Sequence, residues 1–186
     1  MRKQLLIPIL AMFMSLTQRA QENTWSIEVI DPISFNHPFA LSNEGTLGLR
    51  VNYRFVQVGK VTFGLSADGS RFATTLRPDQ EGEYQEYFFK PRLFAEVPLT
   101  RNGNLSFTGG VGWAWLYSRG KPTFFDENGR LQGGDAWADG LNLDAGLIYD
   151  VTPNLRIQSS FDQPFLSGEA VDGNSGFLKL RGGFRF

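Results

Sequence analysis

The chain carries a single histidine, His37, so imidazole acid–base chemistry has one possible site. His37 lies in Ser34-Phe35-Asn36-His37-Pro38-Phe39, and Ser42 and Glu44 follow it. A Ser–His–acid set can therefore be written, but such a set needs the hydroxyl and the base within hydrogen-bond reach. Five residue steps and a proline separate His37 from Ser42. The spacing predicts a solvent-exposed loop histidine rather than a catalytic base. Asp126, Glu127 and Asp135 are the other clustered ligand types, and their spacing fits no calcium loop. The absence of cysteine removes disulfides, thiolate zinc sites and a catalytic thiol. No metal, cofactor or enzymatic activity is expected. With 18 basic and 19 acidic residues, the bulk charge selects no nucleic-acid partner.

The more substantial chemistry is ionic and follows a period of two. Glu28, Arg50, Arg54, Glu86, Lys90, Arg92, Glu96, Asp144, Arg156, Asp162, Lys179, Arg181 and Arg185 all fall at positions alternating with apolar residues. Gly48, Gly64, Gly110, Gly112 and Gly146 share their parity. In a strand, that parity is one face. Charges of both signs interleaved with glycine gaps would fill a narrow interior as a paired network, because unpaired charges there are too costly.

Eight such segments position these groups. They are read as Thr24 to Ile30, Thr46 to Val58, Val61 running on through Asp68-Gly69 to about Thr75, and Glu86 to Val97. Leu105 to Tyr117, Trp137 to Tyr149, Leu155 to Asp162 and Phe177 to Phe186 follow. Pro91 sits on the apolar face of the fourth strand, where it should cost a ladder hydrogen bond or mark a bulge. Short turns at Gly59-Lys60, Thr100 to Asn104 and Thr152-Pro153-Asn154 alternate with long connections. The long connections are expected at Asp31 to Gly45, Leu76 to Gly82, Arg119 to Asp135 and Ser167 to Ser175. This layout predicts an all-β, eight-stranded antiparallel up-and-down transmembrane β-barrel with its long loops on the outer side.

Alternation alone does not say which face is inside, since a soluble barrel reverses the two. Aromatics on the apolar face decide for a membrane. Trp115, Tyr117 and Trp137 lie toward the long loops, Trp25, Tyr149 and Phe186 toward the termini, with Trp113 also in the girdle set, and two girdles are what bilayer interfaces select. No extra helix is expected after the last strand, in contrast to a lipocalin. Arg2 and Lys3, the apolar run from Leu5 to Met14 and the polar stretch to Ala20 follow the order of a secretory signal peptide. Residues 1–20 are thus expected to be the signal and 21–186 the barrel domain.

The last strand, with Leu178, Leu180, Phe184 and Phe186 on one face and Lys179, Arg181 and Arg185 on the other, resembles the closing strand of the small outer-membrane barrels. The family is typified by the OmpA transmembrane domain and OmpX. The resemblance covers the whole mature chain and implies residence in the outer membrane of a Gram-negative bacterium. It also implies contact with outer-membrane lipid and lipopolysaccharide. Leu178, Leu180, Phe184 and Phe186 would be the signal read by the barrel-assembly machinery. In lipid A deacylase barrels His and Ser stand two residues apart on a strand, and His37 and Ser42 depart from that. An OmpW-like lateral route finds no hydrophobic lumen stretch. The expected role is structural, adhesive or partner-binding through the outer loops. Phe124 and Phe125, beside Asp126, Glu127 and Arg130, are contact candidates for a protein or polysaccharide. A small or gated pore is the alternative, a lipid A-modifying enzyme the third. The barrel is expected to be a monomer.

Overall fold

The computed structural model describes residues 24–34, 43–74, 84–125, 131–168, 173–174 and 176–186. The expected signal peptide, His37 and Ser42 lie outside them. Eight long strands run through the described chain: β1 (Trp25–Ser34), β2 (Asn43–Val58), β3 (Val61–Thr74), β4 (Tyr84–Pro98), β5 (Leu105–Phe125), β6 (Leu131–Asp150), β7 (Leu155–Gly168) and β8 (Phe177–Arg185). Each pairs antiparallel with its sequence neighbour, and β8 returns to pair with β1, so the sheet closes with no edge at membrane depth. Reciprocal bonds complete the seam: Trp25 N donates to Phe186 O (3.0 Å) and Phe186 N to Trp25 O (2.9 Å).

The register sets the shape. Arg54 N bonds Thr24 O, and the paired residues then run Arg54, Gly64, Phe94, Gly110, Asp144, Asp162, Phe177 and Ser34. One circuit therefore starts at Thr24 and comes back at Ser34, ten residues further along β1. Ten residues of offset over eight strands tilt each strand by about 40° from the barrel axis, and eight strands leave an interior that side chains can fill.

Local chemistry explains the ends of the elements. Val58 pairs with Val61 across Gly59-Lys60, and Gly59 alone takes a positive φ (60°), the type II′ pattern that follows the strand twist. At the second short turn, Gly103 (φ 74°) donates to Thr100 O at 3.1 Å. At the third, Thr152 Oγ1 accepts from Leu155 N at 2.9 Å. The β4–β5 ladder is interrupted between Phe89 and Arg92 without a change of register. Pro91 thus costs ladder bonding and creates no bulge.

Three expected loops are shorter than the sequence suggests. β1 continues past Ile30 because Asp31, Pro32 and Ser34 stay in register with β8, and β2 begins at Asn43. The fourth connection loses Ser167 and Gly168 to β7, and Gly173–Asn174 form a two-residue bridge back to Leu166 and Phe165. The largest difference is the third connection. Ladder bonds outweigh its Gly- and Pro-rich composition, and β5 and β6 remain paired as far as Phe125 and Leu131. Register shifts between Ser118 and Lys121 and between Pro122 and Phe124 absorb the misfit. Phe124 and Phe125 are therefore strand residues, not loop residues.

Candidate functional site

Period-two alternation turns one face of every strand inward, and that face holds the chemistry. Of the charges named from the sequence, all but Arg185 are buried, and Arg185 is half-buried at the turn-side mouth. They assemble in two layers with a third element above.

The central layer is built on three carboxylates. Asp162 receives Lys90 Nζ at 2.6 Å, Lys179 Nζ at 2.8 Å, Arg92 Nη1 at 3.3 Å and Asn142 Nδ2 at 2.8 Å. Asp68 receives Lys179 Nζ at 2.8 Å, Arg92 Nη2 at 3.2 Å and Arg50 Nη2 at 3.4 Å. Asp144 receives Arg181 and Arg92 at 2.9 Å each, with Arg50 at 3.6 Å. Sharing each acid among several cations offsets the cost of burying it, although the three contacts to Asp68 and the three to Asp144 all fall on Oδ2, and Asp68 Oδ1 has no hydrogen-bond partner among the described residues. The turn-side layer centres on Glu96. It accepts a two-pronged contact from Arg54 (2.9 and 2.8 Å) and one from Arg156 at 3.2 Å. Arg156 also reaches Asp150 at 3.2 Å, and Asn52 Nδ2 donates to Glu28 at 2.8 Å.

Asp68 and Asp150 were not among the residues named from the sequence, although both share the inward parity. Asp68 is followed by glycine and reads locally as a turn, and Asp150 sits at a strand end. Glu86 stands apart near the outer end, where Ser118 Oγ donates to it at 3.2 Å.

Above the central layer the lumen turns apolar. Phe72, Phe88, Ala114, Leu116, Ala136, Ala138, Leu166 and Phe177 form one buried cluster at the loop-side end. Phe72, Phe88 and Phe177 meet in a triangle with ring centroids 5.4–5.5 Å apart. Lys90 Nζ sits 4.5 Å and 4.8 Å from the Phe88 and Phe177 centroids, joining the cap to the ions beneath. The expectation of a lumen without an apolar stretch is thus overturned. The signal was the placing of Phe72, Phe88 and Phe177 at inward parity, spread over three strands rather than gathered in one run. Lower down, Phe94 covers Gly64, where an added Cβ would fall 2.3 Å from the ring. At the turn-side mouth a polar cavity of about 370 Å³ is lined by Arg54, Glu96, Arg101, Asp150 and Arg185, and it abuts the Glu96 layer.

The outer face is its converse. Trp25, Trp113, Trp115, Trp137 and Tyr149 are exposed and Tyr117 is half-buried. Trp25 packs on Tyr53 at 4.6 Å, and Tyr117 on Trp137 at 4.5 Å. Trp113 Nε1 donates to Asp139 (2.7 Å) and Tyr117 Oη to Asp135 (2.6 Å), giving the upper aromatics polar anchors. From the Leu105–Tyr149 pair to the Tyr117–Trp137 pair is twelve steps along β5. At the barrel tilt that is about 30 Å of height, a bilayer's hydrocarbon thickness. Leu180 and Phe184 are exposed on the outer face of β8, and Leu178 and Phe186 are half-buried.

Comparison with solved structures agrees with this geometry. Ail, the attachment invasion locus protein of Yersinia pestis, superposes with a TM-score of 0.59 at 19% identity, covering 88% of this chain and 97% of Ail. Neisserial surface protein A gives 0.57 at 15% identity, with 89% and 98% covered. The N-terminal β-barrel domain of Pseudomonas aeruginosa OprF gives 0.55 at 17%, also with 89% and 98%. The fold is that of the small eight-stranded outer-membrane β-barrels. Neither a protein-family model nor a curated protein sequence matches the chain. With its apolar belt outward and its ions inward, the barrel has the polarity of one that spans a bilayer.

Proposed function

We propose that this protein is a closed, non-catalytic outer-membrane scaffold that presents its outer hairpins, chiefly β5–β6, to a partner outside the cell. One observation carries the reading: β5 and β6 stay paired beyond the Tyr117–Trp137 level for eight residues of the bulged β5 and six of β6, about 20 Å of ribbon, while the lumen below is filled. A paired ribbon of that length is far more than a turn between two membrane strands requires. The filled lumen disfavours the pore reading, since a solute would have to displace both ionic layers and the phenylalanine cap. Glu96, Asp68, Asp144 and Asp162 are each bound by two or more cations, which disfavours them as general bases. Ail was solved with the heparin analogue sucrose octasulfate. That makes sulfated saccharides a reasonable first ligand set, followed by protein partners.

Replacing residues 122–133 by Asn-Gly would join the register partners Lys121 and Gly134 through a two-residue turn and leave the barrel intact. Cells displaying the shortened protein are expected to lose at least tenfold in binding to a saccharide array or to captured partners. Undiminished binding would remove the hairpin from the proposal.

A further inference from the structure

The turn-side mouth carries more positive charge than its acids use. Its cavity of about 370 Å³ is lined by Arg54, Lys60, Arg101 and Arg185 against Glu96 and Asp150. Both acids are committed, Glu96 to Arg54 and Arg156, Asp150 to Arg156. Arg54 is spent on Glu96 in return. Lys60 and Arg101 stand exposed on neighbouring turns, and neither makes a hydrogen bond or ion pair with any described residue. Arg185 has only loose contacts, 3.5 Å to Asp150 and 3.9 Å to Glu96. Its Nε is buried without a hydrogen-bond partner among the described residues. Three such cations around one cavity make an anion site, and neither acid is left over to receive an ammonium group.

The mouth continues over the rim. A second cavity of about 530 Å³ shares Arg54, Gln57, Thr62 and Arg185 with the first and reaches Phe55 and Val56. Both are exposed on the outer wall, where a register shift between Arg54 and Val56 puts two successive side chains. Phe55 also lines an outer groove of about 500 Å³ with Phe63, Leu93, Ala95, Gly109 and Val111. Phe63, Ala95 and Gly109 are register partners, so the groove follows the ladder across β3, β4 and β5. In that direction the ladder climbs about 3 Å per strand, away from the turns and into the apolar belt. Phe55 lies two residues from Tyr53, whose ring packs on Trp25 in the lower girdle. The polar mouth therefore sits at headgroup depth and the groove at acyl depth.

We propose that this track binds an anionic glycerophospholipid of the turn-side leaflet, with its phosphate among Lys60, Arg101 and Arg185 and one acyl chain in the groove over Gly109. The excess of cations selects an anionic headgroup over a zwitterionic one. The adjoining apolar groove selects a lipid over free phosphate. The site depends on the barrel spanning a bilayer and is independent of the β5–β6 hairpin.

Native mass spectrometry of the refolded protein tests it, using mixed micelles with equal amounts of phosphatidylglycerol and phosphatidylethanolamine. One phosphatidylglycerol per barrel should be retained, about fivefold over phosphatidylethanolamine. Lys60→Gln combined with Arg101→Gln should lower that retention about tenfold. Neither side chain has a partner to lose, so folding, followed by the heat-dependent gel shift, should not change. Gly109→Leu should also lower retention by filling the groove, and it should fold, since an added Cβ comes no nearer than 3.5 Å to Phe107. Arg119→Gln, exposed toward the opposite end, should retain lipid like the parent. Equal retention of the two lipids, a double variant that retains lipid like the parent, or an equal loss in Arg119→Gln would each overturn the site. Retention lost in the double variant but untouched by Gly109→Leu would leave a headgroup-only anion site and overturn the lipid assignment. The protein shortened at residues 122–133 should retain lipid like the parent whatever its partner binding, so the two proposals fail separately.

Discussion

Asp162→Asn removes one charge and almost no volume from the centre of the lumen. Asp162 and its partners Lys90 and Lys179 have side chains with no solvent exposure. Lys179 keeps Asp68 at 2.8 Å after the change. Lys90 has no second carboxylate among its ion pairs with described residues and is left over the Phe88 and Phe177 rings. Stranding one member of a buried ion pair costs about 3–5 kcal/mol. With a urea slope of about 2 kcal/mol per molar, the unfolding midpoint should fall by about 2 M. The assay is urea unfolding of protein refolded into lipid vesicles, followed by tryptophan emission and by gel mobility. Asp150→Asn, at the mouth with 19% side-chain exposure, should cost under about 1 kcal/mol. Adding Lys90→Met to Asp162→Asn should recover part of the loss, with a coupling of about 1–3 kcal/mol, because the stranded charge is gone. Equal midpoints for the two aspartate variants, or no recovery in the double variant, would refute the view that the central acids hold the lumen together.

Two further expectations concern sealing and close approach. In planar bilayers the refolded protein should be electrically silent, whereas replacing Phe72, Phe88 and Phe177 together by Ala should give openings; a silent triple variant of proven insertion would mean that the ionic layers suffice to block the lumen. Gly140→Ala should prevent or severely impair refolding, since its Cβ would stand 1.8 Å from Phe165 O, while Gly182→Ala, with nothing within 4 Å, should refold with an unchanged midpoint.

Parity carries far because a strand offers two faces and the bilayer sorts them strictly. Arg50, Asn52 and Arg54 against Leu49, Val51 and Tyr53 is sufficient to orient β2, and the same holds for Arg156 to Asp162 on β7. What escaped the sequence depends on how strands are brought together. Asp68 is unremarkable until β8 delivers Lys179 to it across the lumen. Phe72, Phe88 and Phe177 become a cap only once β3, β4 and β8 converge at one height. The long β5–β6 ribbon was hidden by glycines and Pro122, since local composition does not weigh the ladder bonds that a partner strand supplies.

The pairing of Asp68 on β3 with Lys179 on β8 joins positions 111 residues apart and has a kinetic corollary. Until β8 docks, Asp68 and Asp162 lack Lys179 and Asp144 lacks Arg181, and water must take the place of the contacts those cations later make. Seam closure, dehydration of the interior and completion of its ion network are therefore one event. Intermediates that lack the last strand should remain wet and open, so that insertion resembles the snapping of a clasp more than the gradual growth of a sheet.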